Sequence, residues 1–246
     1  MGCCLTCHWL IMLYLSGYHL FLFMKAMSTF LVSLISLTAL HATAQRQLSE
    51  GTITYGISVE SKQSDAGMLN GLQGATLTVY LKPSISKTEM QSTLGTETTV
   101  YDNRLGKGFI LKEYSGQKLM ITATRENWLQ KNQWNDNMQF TIDGSTTSIA
   151  GYACKKATGT TADGKTFTVY FTPEVTLSNK MYNNSFAQLP GLPVQYELQS
   201  GNITFRYTLQ KISFDPLASV KFEAPKAGFR SMTYDENQQM KKAERK

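Results

Sequence analysis

The chain has 246 residues, with 24 Lys and Arg against 18 Asp and Glu and a net charge of +6. Its apolar residues are unevenly spread: 30 of the first 44 are Ala, Val, Ile, Leu, Met, Phe, Trp, Tyr or Cys, against 73 of the remaining 202. All three histidines (His8, His19, His41) and Cys3, Cys4 and Cys7 fall in that leader, so residues 45–246 hold no histidine and one cysteine, Cys154. Once the leader is removed, Ser-His-Asp and Cys-His catalysis, His-ligated zinc and an intramolecular disulfide are excluded. The expectation is a protein that is not an enzyme, with no catalytic residue, no metal and no cofactor.

Residues 28–40 form an apolar h-region, preceded by Met24 and Lys25 and followed by Ala42-Thr43-Ala44. That pattern predicts a signal peptide over 24–44, cleaved after Ala44. The run is shorter than the roughly 20 residues of a spanning helix, so the mature form is expected not to span the membrane. Residues 1–23 carry no charge and lack the basic start of a translocated leader, which reads them as an over-extended start ahead of Met24. No cysteine closely follows the h-region, and the expected location is periplasmic or secreted.

From residue 45 onward strand patterns dominate. Ile53, Tyr55, Ile57 and Val59 alternate with Thr52, Thr54, Gly56 and Ser58, which predicts a strand with one buried face. Residues 63–73 carry a weak helical pattern. Leu77, Val79 and Leu81 repeat the alternation, and 86–93 and 96–102 read as two more strands. Segments 109–114 and 118–124 flank Ser115-Gly116-Gln117 as a hairpin. A second weak helix is predicted over 125–138. Residues 148–161 read as one strand, paired through Asp163-Gly164 with 166–172. Strands at 194–198 and 202–214 follow, with a short one at 219–222. The pattern predicts about nine to eleven strands in a mainly β fold. Residues 45–225 read as a single β domain, and 226–246, ending in Lys241-Lys242-Ala243-Glu244-Arg245-Lys246, as a flexible basic tail.

Few residues invite a chemical role. Tyr152, Cys154 and Lys156 are expected to share a strand face, where a lysine would lower a thiol pKa, but free cysteine more often serves as a small buried residue. Glu174 reads as a solvated turn residue rather than a base. The positive balance is dispersed among the strands, and no nucleic-acid partner is expected. Trp128, Leu129, Trp134 and Met138 form an apolar cluster in an Asn- and Gln-rich segment, suited either to the lid of an apolar cavity or to covering a sheet edge.

Residues 149–157, Thr168-Val-Tyr-Phe-Thr-Pro-Glu174, Gln188-Leu-Pro-Gly-Leu-Pro-Val-Gln-Tyr196 and Phe222-Glu-Ala-Pro225 resemble the GLPGLI-type envelope proteins of the Bacteroidota, a domain of unknown function similar to the LolA/LolB lipoprotein carriers. The match is strongest over 140–225, and the namesake motif departs at Gln188 and Pro193. The resemblance implies an antiparallel curled sheet or incomplete β-barrel, LolA-like, with one or two short helices across its concave side. Leu189, Pro190, Gly191 and Leu192 are expected to form a rigid turn: the leucines point inward and Gly191 takes a backbone conformation closed to L-residues. The family contributes no catalytic residue. The expected function is binding of a lipid, a lipoprotein acyl chain or another apolar ligand in the concave face; the alternative is a structural or protein-interaction module with an envelope protein as partner.

Export is expected to remove residues 1–44. N-terminal sequencing of the exported protein should read Gln-Arg-Gln-Leu from Gln45, and a mature chain that retains Lys25 would contradict the assignment.

Overall fold

The computed structural model describes residues 45–61, 66–133, 138–161 and 164–244, so the leader, Trp134 and the Asp163 turn position lie outside the described residues. The chain runs β1 (Arg46–Leu48), β2 (Gly51–Ser61), α1 (Ala66–Leu72), β3 (Thr76–Leu81), β4 (Ile85–Ser92), β5 (Gly95–Asp102), β6 (Lys107–Tyr114), β7 (Gln117–Thr124) and α2 (Arg125–Asn132). It continues with β8 (Gln139–Ile149), β9 (Tyr152–Thr160), β10 (Thr166–Thr172), β11 (Val175–Leu177), β12 (Leu192–Ser200), β13 (Ile203–Ser213), β14 (Arg230–Thr233) and α3 (Tyr234–Glu244). Twelve strands form one curled sheet in the order β14-β7-β6-β5-β4-β3-β2-β13-β12-β10-β9-β8, antiparallel throughout except for the parallel β14/β7 pair. Its two edge strands do not pair with each other, so the barrel stays open. The fold is mainly β, with three short helices among the described residues.

Register explains which face is apolar. Tyr55 lies opposite Leu77 and Leu209, Ile57 opposite Tyr207, and Tyr207 opposite Tyr196. Because side chains alternate, this row shares one face, while Thr54, Ser58, Thr78, Arg206 and Glu197 occupy the other. The inner face is covered in two places. The link from β10 to β12 is far longer than a hairpin and folds back over the sheet: β11 pairs in parallel with β1, and Val175, Leu177, Phe186 and Leu189 enter the main core beside Ile53, Tyr55, Val79 and Phe171. At the other end Met232 and Tyr234 cover Ile110, Ile121 and Ala123.

That second cover corrects the expected flexible tail, because residues 230–244 are strand and helix. Thr233-Tyr-Asp-Glu236 is a capping box: Glu236 Oε2 accepts from Thr233 N (2.7 Å) and Thr233 Oγ1 accepts from Glu236 N (3.2 Å). Asp235 and Glu236 in the first turn and Lys241 and Lys242 in the last complement the helix dipole. The polarity that suggested disorder belongs to the solvent side of a capped helix whose inner residues, Tyr234 and Asn237, are buried.

Three further expectations change. Residues 219–222 form a 3₁₀ turn, not a strand, because both sides of β13 are already paired and Val220 is exposed while Phe222 is buried. The strand expected over 148–161 is split by a turn at Ala150 and Gly151, both at positive φ (50° and 81°). Alanine seldom adopts that conformation, so composition gives no sign of the turn. Within β9 both Cys154 and Ala157 reach the core, an odd spacing that breaks the strict alternation expected of Tyr152, Cys154 and Lys156. The partner strand β8 bulges between Ile142 and Thr146.

In the 189–192 turn both leucines are buried, at 1 % and 0 % exposure. Gly191 has no positive φ, contrary to expectation; a Cβ there would instead overlap the Thr172 carbonyl and press on the Phe171 ring. The glycine is required by close backbone approach. Pro193 sits in β12 where the pairing with β10 shifts register, a place where a missing N–H is tolerated, and its carbonyl accepts from Tyr55 Oη at 2.9 Å.

Gly191→Val is therefore expected to destabilise the fold by about 3 kcal/mol or more, the range of backbone strain plus overpacking. Urea unfolding followed by far-UV circular dichroism measures it, and an unchanged midpoint would show that the β10–β12 contact yields.

Candidate functional site

Between the two covers the inner face is left open, and the gap is a cleft of about 470 Å³. Its floor is drawn from one face of the sheet: Leu77 on β3, Thr88 on β4, Thr99 on β5, Phe167 on β10, Tyr196 on β12 and Tyr207 on β13. Tyr196 stacks on Tyr207 (4.7 Å between centroids, 9° between planes). Phe186 meets Tyr196 edge-on at 4.7 Å and Phe167 at 6.3 Å, so a chain of aromatic rings supports the floor from the core. Tyr182, which lines the cleft, joins hydroxyls with the buried Tyr55, and burial raises the pKa of both and of Tyr196. These phenols stay protonated near neutral pH and act as donors and apolar surface, not as bases.

One wall is α2, which follows β7 directly. Thr124 caps it through a reciprocal pair: Asn127 N donates to Thr124 Oγ1 (3.4 Å) and Thr124 N donates to Asn127 Oδ1 (3.1 Å). The cap fixes the helix start, and Trp128 lands flat on Tyr101 of β5, with centroids 4.1 Å apart and planes within 6°. Asn127 Nδ2 also donates to Asp235 Oδ1 (3.1 Å), tying α2 to α3. Trp128 is 8 % exposed, yet its indole N–H has no acceptor among the described residues. Lys131 Nζ stands 5.3 Å from the Trp128 ring centroid, within cation–π range.

The four residues expected at a lid are thus divided. Trp128 and Met138 line the cleft. Leu129 is 52 % exposed and outside the lining, because neighbouring positions on a helix face different ways. Trp134 lies outside the described residues. The 189–192 turn sits in the core beneath the floor, not in the lining. Lys131, Phe167, Tyr196 and Tyr207 were not picked out from the sequence. Alternation turned Tyr196 and Tyr207 inward, but only the β12/β13 register lays them side by side.

Cys154 is fully buried and donates its thiol to Tyr152 O at 3.4 Å; burial pushes its pKa up. The Glu174 carboxylate accepts from Ala153 N (3.3 Å) and serves to tie the turn after β10 to β9. Among the described residues no three His, Cys, Asp or Glu side chains gather into a metal-binding group, and no helix is long and apolar enough to cross a membrane.

No protein-family model matches the chain, and no curated protein matches it. Among solved structures it is similar to PNGF-II (TM-score 0.42, 12% identity, covering 78% of this chain and 33% of that one). It is also similar to MucB, whose complex with MucA is described from Pseudomonas aeruginosa (TM-score 0.37, 12% identity, 75% and 60%). LprF from Mycobacterium bovis aligns with a TM-score of 0.34 and 11% identity over 72% of this chain and 90% of its own. The chain therefore spans about a third of PNGF-II and three-fifths of MucB. Likeness of this degree assigns neither an activity nor a partner.

Proposed function

We propose that the protein is an exported, non-enzymatic binder of a lipid or other acyl-chain ligand, held in the cleft on the concave face of the open sheet. The observation that carries this reading is the uncovered stretch of inner face. Its volume falls within the roughly 300–1,000 Å³ of small-molecule sites, and its surface mixes aromatic and aliphatic side chains with about as many polar ones. An apolar face of this kind is otherwise covered by protein, as it is at both ends of this sheet. The partly polar lining, with Thr88, Thr99 and Asn132 beside Leu77 and Phe167, suits an amphiphile better than a bare hydrocarbon.

A second reading, a protein-interaction module of the envelope, is favoured by β8. Among the described residues this edge strand pairs only with β9, and it is exposed along almost its whole length, with Ile142 at 45 %, so it offers a template for an added strand.

Titration of the exported protein with a dansyl-labelled undecanoate separates the two. Saturable binding at micromolar concentration is expected. Thr99→Trp, which fills the floor and keeps strand propensity, should weaken binding by about tenfold or more, a loss of ~1.4 kcal/mol. Trp128→Ala should also alter binding, at a stability cost of about 3–5 kcal/mol as the ring leaves Tyr101. Folded protein without saturable binding would favour the interaction-module reading.

A further inference from the structure

The charge in the cleft is one-sided. Its charged lining residues are Lys131, Lys165 and Glu197. Glu197 belongs by register to the outer face, opposite Arg206, whose Nε holds the carboxylate at 2.8 Å. The lining thus leaves no carboxylate to neutralise Lys131.

Lys131 makes no ion pair among the described residues. The carboxylate whose field reaches it, Glu97, is bound to Lys112 at 3.0 Å. Desolvation lowers the Lys131 pKa; the Glu97 carboxylate opposes this, and the positive charges of Lys112 and Lys241 add to it. An ammonium in that setting is stabilised by any anion that reaches it. Beside it, the same wall of the cleft holds a second donor in need of an acceptor, the buried indole N–H of Trp128. A buried donor without a partner is costly, and an oxygen-bearing head group supplies what is missing.

We propose that the ligand is an anionic amphiphile: its acyl chain lies on Leu77, Phe167, Tyr196 and Tyr207, and its carboxylate or phosphate oxygen meets Lys131, with the Trp128 indole N–H as a further donor. The inference rests on the cleft being an acyl-chain site and adds the head group that the site selects. Lys131 stands over the Trp128 ring, which stacks on Tyr101, so the wall that offers an apolar ring to the chain also offers a cation to the head group.

Fluorescence titrations of the exported protein with dodecanoate, dodecyl phosphate and 1-dodecanol test this. At least one anion should bind about tenfold tighter than the alcohol, the scale of one charge-assisted hydrogen bond. The tighter of the two anions identifies the head group. Lys131→Met should bring the anion-to-alcohol ratio towards one, and Lys131→Arg should retain it; melting curves confirm that both variants are folded. Equal affinity for all three compounds, or a preference that Lys131→Met leaves intact, would overturn the head-group assignment while the acyl-site reading stands. Absence of binding by all three would overturn both.

Discussion

A twelve-stranded sheet with one apolar face must hide that face, and the described residues include few helices with which to do it. Period-two alternation puts Ile53, Tyr55, Leu77, Val79, Tyr196, Tyr207 and Leu209 on a single side, and the hydrophobic effect makes exposure of so much apolar surface untenable. The long link between β10 and β12 covers one end, and β14 with α3 covers the other. What lies between is the cleft. The site is thus a product of incomplete cover: its floor is the same surface that elsewhere forms the core, interrupted by Thr88 and Thr99.

Both covers are held by directional contacts at their margins. The 173–191 segment is pinned by the parallel β1/β11 pair, by the Tyr55 hydroxyl on the Pro193 carbonyl, and by the approach of Gly191 to Thr172. The C-terminal cover is pinned by the β14/β7 ladder and by the Thr233–Glu236 capping box, and the Asn127–Asp235 bond extends that support to α2. The wall that carries Trp128 and Lys131 therefore depends on the terminal helix, although the two are more than a hundred residues apart in sequence. Loss of the C-terminal helix would loosen the wall as well as the second core.

The sheet's edges differ in a way that bears on its partners. One edge, β14, is short and runs directly into α3, which limits strand addition there. The other, β8, is eleven residues long and interrupted by the bulge between Ile142 and Thr146, a device that re-aims an edge strand. The cleft and the β8 edge adjoin where Met138, immediately before β8, lines the cleft.

Local pattern alone established a great deal. Alternation located β2 through β7, β10, β12 and β13; Gly and Ser marked the β6/β7 turn; and the Leu-Pro-Gly-Leu run announced a buried turn. These features are legible because a strand's inward residues and a turn's φ angles are set within a few residues of one another. Strand order, and with it everything that two distant strands build together, was not legible. Trp128 stood out as a lid residue, but its stacking on Tyr101 depends on where α2 leaves β7 relative to β5. Lys131 acquires meaning only from the register that turns Glu197 to Arg206 and from the pairing of Glu97 with Lys112. The tail looked disordered because its composition is polar, although the capping box at Thr233–Glu236 was present in the sequence, and what orders it is a parallel edge on β7 that no local signal announces. Gly191 was correctly singled out but for the wrong reason, since a short approach to another strand leaves no mark on its own φ. Secondary structure follows from neighbours in sequence, whereas a cleft and its charge follow from neighbours in space, and only the register of the folded sheet decides which residues those are.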